Sequence, residues 1–168
     1  NPLDFGMIGA TDNHNSNPGD TEEWDYRGSS GAFTGPAKSR LSTGSRTTLI
    51  NNPGGLAAIW SEENTRDSLF DAMQRKEVYA TSGTRIRLRF FASFDYQSNL
   101  AELDEPIKTA YNQGYPMGST INSSQNKSPT FFVLAEQDLL DAPLDKIQII
   151  KGWTEKGELN EEVVDVIC

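Results

Sequence analysis

The sequence predicts an α/β part followed by an all-β part, and three observations support this division. Residues 3–10 contain an apolar run at residues 5–8, residues 61–83 contain one helical pattern, and residues 84–168 alternate apolar and polar positions in several short segments. Helical spacing indicates an amphipathic helix, whereas alternation is typical of strands in an antiparallel sheet. We therefore expect one unit at residues 1–83 and a second, antiparallel β unit at residues 84–168.

The first element is a short strand, predicted at residues 3–10 and expected to be buried because it is apolar. It leads into a polar, glycine-containing loop, a position where α/β folds keep their sites. The loop, residues 15–55, is long enough to indicate a functional or a disordered segment. Its aromatic residues, which either wall a pocket or pin the loop to the body, are Trp24, Tyr26 and Phe33. Residues 56–60 predict another buried strand.

The helix follows Asn64 and Thr65, either of which can cap its first turn. The residues expected to face the core, because they repeat at helical spacing, are Leu69, Phe70 and Met73. The residues expected to face solvent are Arg66, Asp71 and Arg75. The spacing of Asp71 and Arg75 predicts an ion pair across one helical turn.

The second unit begins with apolar residues that alternate with arginines, a pattern that predicts a strand with one solvated face. The three arginines expected on that face are Arg85, Arg87 and Arg89. Further strands are predicted at residues 130–134, 147–150 and 163–167, with a turn at residues 155–158. Together these segments indicate an antiparallel β module.

Charge and composition exclude several kinds of partner. The net charge is −9 and the basic residues are mostly scattered, which argues against a nucleic-acid surface. No apolar stretch approaches the ~18 residues of a membrane span, so no membrane partner is expected. A single cysteine excludes an internal disulfide framework. Because the chain lacks an initiator methionine and stops within a predicted strand, we expect it to be truncated at both ends, and its compartment stays open.

One short motif contains two residues that can bind a metal ion. The only histidine, His14, lies two residues after Asp12, and residues at this spacing share one side of an extended backbone. A carboxylate oxygen beside an imidazole nitrogen suits Zn, Mn or Fe better than Ca or Mg. A hydrolytic centre usually needs three or more protein ligands, so most of such a site would lie outside this chain. Alternatively, the motif is a plain turn in which Asp12 or Asn13 bonds its own backbone.

Five stretches, taken together, resemble a known family. They lie at residues 6–15 (GMIGATDNHN), 54–66 (GGLAAIWSEENTR), 69–73 (LFDAM), 79–86 (YATSGTRI) and 144–153 (LDKIQIIKGW). Their order and spacing resemble the C-terminal portion of the domain-of-unknown-function family 3604, which is related to the polymerase-and-histidinol-phosphatase (PHP) superfamily. The resemblance covers nearly the whole chain except its long loops.

This resemblance implies that residues 1–83 are the last strand–loop–helix part of a PHP-like (β/α) barrel. Residues 84–168 would follow it as an antiparallel β-sandwich-like module. PHP-like domains are metal-dependent hydrolases that act on phosphoesters, and their last ligand motif is an Asp-x-His, which corresponds to Asp12 and His14. The other ligand motifs have no counterpart here, so we expect this fragment to be inactive by itself.

The sequence thus leads to a fragment of a metal-dependent, phosphoesterase-like hydrolase that uses divalent transition metals (Zn, Mn or Fe). Its partner would be a small phosphoester-like substrate, contacted by Thr81 and Ser82 in the small polar turn after residue 78 and enclosed by the loop at residues 15–55. The alternative is a non-catalytic binding or interaction module in which the β unit is the working surface.

Overall fold

A computed structural model describes residues 4–14, 16, 23–26, 28, 36–40, 54–122 and 127–167 of the chain. Its helices are α1 (Ala37–Arg40), α2 (Arg66–Gln74) and α3 (Pro106–Gln113), with short 3₁₀ turns at Glu23–Asp25 and Leu100–Glu102. Its strands are β1 (Ala57–Ile59), β2 (Val78–Ala80), β3 (Arg87–Ser93), β4 (Tyr115–Pro116), β5 (Thr130–Glu136), β6 (Ile147–Glu155) and β7 (Glu158–Ile167).

The strands form three antiparallel sheets, ordered β1-β2, β4-β3-β5 and β6-β7. The predicted mixture of α/β and antiparallel β structure is therefore confirmed at this level, and the described residues contain no closed barrel. None of the described helices has the length and apolar character needed to cross a membrane.

The predicted first strand is wrong for the part that the structure describes. Residues 4–10 have no regular secondary structure, and the side chains of Phe5, Met7 and Ile8 are exposed rather than buried. The segment approaches the β1-β2 ribbon through its backbone: a Cβ added to Gly9 would lie 2.6 Å from the carbonyl oxygen of Thr81. At this point the two backbones come close because glycine places no side chain between them.

The β1-β2 ribbon is short, but backbone hydrogen bonds extend it by one residue pair at each end. Thr81 N donates to Leu56 O at 3.1 Å at one end, and Trp60 N donates to Glu77 O at 3.0 Å at the other. Each residue of a strand advances the chain by about 3.4 Å, so these two ends lie about 14 Å apart. The ribbon positions polar groups at both of its ends.

Helix α2 connects the two strands of this ribbon. Thr65 caps it, as predicted, because its Oγ1 accepts a hydrogen bond from Ser68 N at 3.3 Å. The predicted core face is wrong: Ala72 is fully buried, Leu69 is half-buried, and Phe70 and Met73 are largely exposed. The small Ala72 lets the helix lie close to the ribbon, and the larger side chains therefore project past it.

The predicted ion pair between Asp71 and Arg75 is also wrong, because Arg75 pairs with Glu77 instead. Arg75 faces solvent, as expected, yet its Nη2 lies 3.6 Å from Oε2 of Glu77 rather than beside Asp71. Helix α2 ends at Gln74, and Lys76 takes a left-handed conformation with φ of 60°. This reversal turns the chain back and brings the following glutamate within reach of Arg75.

The core lies between the β4-β3-β5 sheet and α3. Its buried members are Phe91, Leu100 and Ala110, and its partly buried members are Tyr96, Ile107 and Phe132. Phe91 is 2% exposed and contacts the Tyr111 ring edge-on, with 4.9 Å between ring centroids. The strand predicted at residues 130–134 is confirmed within β5, and it pairs with β3 over seven residues.

The β6-β7 ribbon confirms the predicted strands and the predicted turn. Lys156 and Gly157 form the turn, with φ values of 53° and 88° that suit the tight hairpins favoured by strand twist. Most of its residues are exposed on both faces, including Ile150, Leu159 and Val163. The ribbon therefore presents apolar side chains to solvent.

The burial pattern gives a direct stability test. Phe91→Ala removes a buried ring and leaves a cavity, so we expect the free energy of unfolding to fall by about 3–5 kcal/mol. Phe70→Ala is the matched control, because the same truncation at an exposed site should cost less than about 1 kcal/mol. Urea denaturation of both variants measures the difference. An equal loss in the two variants would contradict the assignment of the core.

Candidate functional site

A local turn, closed by a hydrogen bond to the Thr11 side chain, brings Asp12 and His14 together. Asn13 N donates to Thr11 Oγ1 at 3.1 Å, and Asp12 has a φ of 53°, a left-handed conformation that Asp tolerates better than most residues. The predicted proximity of the two side chains is confirmed, but a turn produces it instead of strand alternation. The described contact that closes this turn comes from Thr11 rather than from the side chains of Asp12 or Asn13.

The two potential ligand atoms lie at a separation that a metal ion can use. Asp12 Oδ1 is 3.5 Å from His14 Nε2, and the two side chains are 98% and 71% exposed. Two ligands of a tetrahedral zinc ion, with bonds of 2.0–2.1 Å, lie about 3.3 Å apart. The pair therefore fits two neighbouring positions of a coordination sphere and is open to solvent.

A complete coordination sphere needs more donors than this pair. Within the described ranges of the chain, no group of three or more His, Cys, Asp or Glu side chains is close enough to hold a metal. The donor chemistry of Asp12 and His14 fits a divalent transition metal. The donor number leaves further positions for other residues or for water.

The backbone around the turn is anchored to one end of the β1-β2 ribbon. Gly55 N donates to Ala10 O at 3.4 Å, and a Cβ on Gly54 would lie only 2.7 Å from the Cα of Thr11. Gly54 also has a φ of 76°, which favours glycine. The turn and the start of the ribbon are thus in direct backbone contact, which fixes where Asp12 and His14 project.

Thr81 and Ser82, the predicted substrate contacts, lie at this same end of the ribbon. Thr81 Oγ1 accepts a hydrogen bond from Leu56 N at 2.9 Å, so its hydroxyl already stabilises the ribbon. Ser82 is exposed. The structure places both residues near the segment that carries the Asp12–His14 pair, and their contact with a substrate stays a prediction.

Asn13 is the residue of this turn that is least satisfied. Both polar atoms of its amide are buried, and neither has a hydrogen-bond partner among the described residues. An unpaired buried amide costs free energy, so native structures almost always pair such groups.

The structure describes only a few residues of the long loop. Most of residues 15–55, including Phe33, lies outside the described residues, and so does the predicted pocket-forming role of the loop. Trp24 is largely exposed, whereas Tyr26 is half-buried with its hydroxyl enclosed.

A second polar cluster, which sequence reasoning missed, lies at the opposite end of the ribbon. Glu77 is 5% exposed, accepts a hydrogen bond from the Tyr111 hydroxyl and contacts Arg75. Arg89 Nη1 donates to the Tyr111 oxygen at 3.0 Å, and the Arg89 guanidinium carbon lies 3.4 Å from the Trp60 ring centroid. Burial and the neighbouring carboxylate of Glu77 raise the pKa of Tyr111 to about 12.

The prediction of one solvated arginine face is therefore wrong for Arg89. Arg87 lies on the surface and pairs with Glu136, whereas Arg89 is half-buried on an aromatic ring. Strand alternation specifies a shared face, but it does not specify which part of that face another element covers. The signal that could have pointed to the cluster is Trp60 at the end of the strand predicted at residues 56–60, because a large aromatic side chain in a buried strand needs a packing partner.

The pKa of Tyr111 makes alkaline stability testable. The unfolded chain releases this proton near pH 10 and the folded chain at about 12, so stability is retained below pH 10 and declines from about 10 to 12. In Tyr111→Phe, we expect the phenolate absorbance phase near pH 12 to lose amplitude and the alkaline decline in stability to become smaller.

Glu77→Gln is the matched variant for that titration. It keeps the phenol but removes the negative charge beside it, so the late phase should move to lower pH. A late phase of unchanged amplitude in Tyr111→Phe would contradict the assignment to this residue.

Comparison with known proteins identifies a family for this chain. No curated protein and no solved structure matches the chain significantly. The sequence pattern of one family, described as protein of unknown function (DUF3604), matches residues 1–168. The match spans the entire chain, including both the Asp12–His14 turn and the β6-β7 ribbon. The chain therefore belongs to the DUF3604 family.

Proposed function

We propose that Asp12 and His14 are two ligands of a divalent transition-metal centre, with Zn, Mn or Fe, in a hydrolase of phosphoester-like substrates. The observation that carries this proposal is the 3.5 Å separation of Asp12 Oδ1 and His14 Nε2 on a solvent-facing turn. Carboxylate and imidazole together form a donor pair typical of catalytic transition-metal sites.

The proposal includes a relationship to the PHP superfamily. Residues 1–83 would complete a PHP-like (β/α) barrel, and residues 84–168 would form a β-sandwich-like module beside it. The order of the sequence motifs and the position of Asp12-x-His14 support the first part. The antiparallel sheets β4-β3-β5 and β6-β7 support the second part. Fold analogy supplies the reaction class, whereas the turn supplies the residues.

Each residue of the turn has a distinct role in this proposal. A bound divalent ion would polarise a phosphoryl oxygen and supply hydroxide near neutral pH. The Asp12 carboxylate and His14 Nε2 hold the ion, and Thr11 fixes the turn through its bond to Asn13 N. Thr81 and Ser82 are the proposed substrate contacts. The remaining ligands come from residues outside those described.

Zinc binding tests the ligand role without relying on activity. Titration calorimetry of the 168-residue chain should show weak binding, because two ligands leave the rest of the sphere to water. His14→Ala and Asp12→Asn should each reduce this affinity by about tenfold or more. Asp71→Asn is the matched control, since it neutralises an exposed carboxylate on α2. Equal zinc affinity in all four proteins would overturn the ligand assignment.

Hydrolysis forms a separate prediction. We expect the 168-residue chain to show no phosphodiesterase turnover alone, because two-metal catalysis needs bridging ligands that hold the ions about 3.5–4 Å apart. A longer native protein that supplies those ligands should bind more than one metal ion and turn over substrate. Its His14→Ala variant should lose activity while remaining folded. Full activity of the 168-residue chain would show that the site is complete without further residues.

A non-catalytic binding module is the second candidate function. The β6-β7 ribbon favours it, because Ile150 and Leu159 are 66% and 85% exposed on an isolated hairpin. Two-stranded ribbons are marginally stable alone, and an exposed apolar strand offers a surface for a partner. Metal content of the purified native protein separates the candidates: bound metal supports the hydrolase, and its absence supports the binding module.

A further inference from the structure

The second polar cluster lines an open cleft that the proposed hydrolase site does not use. The cleft has a volume of about 380 Å³, within the range of small-molecule sites. We name it the Trp60–Tyr111 cleft; its lining includes Trp60, Glu62, Arg75, Glu77, Arg89, Ile107 and Tyr111. It lies at the Trp60–Glu77 end of the ribbon, about 14 Å from the end that carries the Asp12–His14 turn.

We propose that the Trp60–Tyr111 cleft binds a small organic monoanion, a carboxylate with a flat apolar body. The guanidinium groups of Arg75 and Arg89 would pair with the carboxylate. The Tyr111 ring, the side chain of Ile107 and the edge of the Trp60 ring that Arg89 leaves uncovered would contact the apolar body. This site is independent of the metal centre proposed above.

The Arg89 guanidinium is preorganised to bind an anion. Its guanidinium stacks on Trp60, whose Nε1 is fixed by a 2.8 Å bond to Leu88 O, and its Nη1 donates to Tyr111. The hydrogen bond to Tyr111 is the one that the described residues provide for this guanidinium, which carries five N–H donors. Stacking immobilises the group before a ligand arrives, so less conformational entropy is lost on binding.

Arg75 supplies the second positive group. Its side chain is 52% exposed, and it meets Glu77 through Nη2 at 3.6 Å, which leaves other donors of the planar fork available. A carboxylate pairs well with guanidinium because two parallel N–H bonds can form.

The charges that line the cleft argue against a dianion. Two arginines and two glutamates line the cleft, and Glu77 is already engaged by Tyr111 and Arg75. Glu62 is exposed at the rim. A dianion such as phosphate would bring an excess of negative charge next to two carboxylates, and like charges at close range disfavour binding.

Titration calorimetry of the 168-residue chain with four probes tests this proposal. Benzoate should bind saturably and more tightly than acetate, which lacks the apolar body. Inorganic phosphate and benzylamine should bind more weakly than benzoate, because the first carries too much negative charge and the second carries the wrong sign. No saturable benzoate binding in the millimolar range, or binding of phosphate or benzylamine at equal affinity, would overturn the proposal.

Variants locate the binding site. Arg89→Gln should weaken benzoate binding by about tenfold or more, as expected for the loss of a charge-assisted hydrogen bond. Arg87→Gln is the matched control on the same strand, since Arg87 pairs with Glu136, and it should retain affinity within about twofold. If Arg89→Gln fails to fold by circular dichroism, Arg75→Gln tests the same claim from a half-exposed side chain. Unchanged benzoate affinity in a folded Arg89→Gln or Arg75→Gln variant would overturn the assignment.

Discussion

The backbone pairing of β1 with β2 is the interaction that positions both polar clusters of this chain. Each strand has three residues, yet the pairs Leu56–Thr81 and Trp60–Glu77 extend the ladder at both ends. One end anchors the turn that carries Asp12 and His14. The other end fixes Glu77 and Trp60 for the second cluster. Loss of the ribbon would therefore release both sets of polar groups.

The two ends of the ribbon differ in how they hold their polar side chains. The Asp12–His14 pair is exposed to solvent, and backbone contacts hold the segment that carries it. Glu77 is buried, and its carboxylate requires partners to offset the cost of leaving water. Tyr111 and Arg75 supply those partners, and α3 thereby becomes linked to the end of α2. The second cluster thus also links the β1-β2 ribbon and the end of α2 to α3 and β3.

How much could be predicted from the sequence depended on the range of the interaction. The strands at residues 147–150 and 163–167 and their turn were predictable because the hairpin is local and alternation was clear. The Thr65 cap was predictable for the same reason. The strand predicted at residues 3–10 was wrong, because an apolar run indicates hydrophobicity but does not show whether a partner strand is present.

The candidate site shows the same difference between local and long-range interactions. Asp12 and His14 lie two residues apart, so their proximity could be predicted, although the left-handed turn that creates it could not. The bond between Tyr111 and Glu77 spans 34 residues and depends on how α3 packs, which no local pattern specifies. The exposure of Phe70 has a similar cause: a helical stripe shows one face, and tertiary packing selects which part of it is covered.

The single histidine makes the central claim directly measurable. Imidazole nitrogen resonances of the ¹⁵N-labelled chain arise from His14 alone, so any effect of zinc on them reports this residue without assignment. If Asp12 and His14 are metal ligands, zinc should shift the His14 Nε2 resonance saturably, and Asp12→Asn should weaken that response. Imidazole resonances that do not change on addition of zinc would contradict the metal-ligand role of the turn.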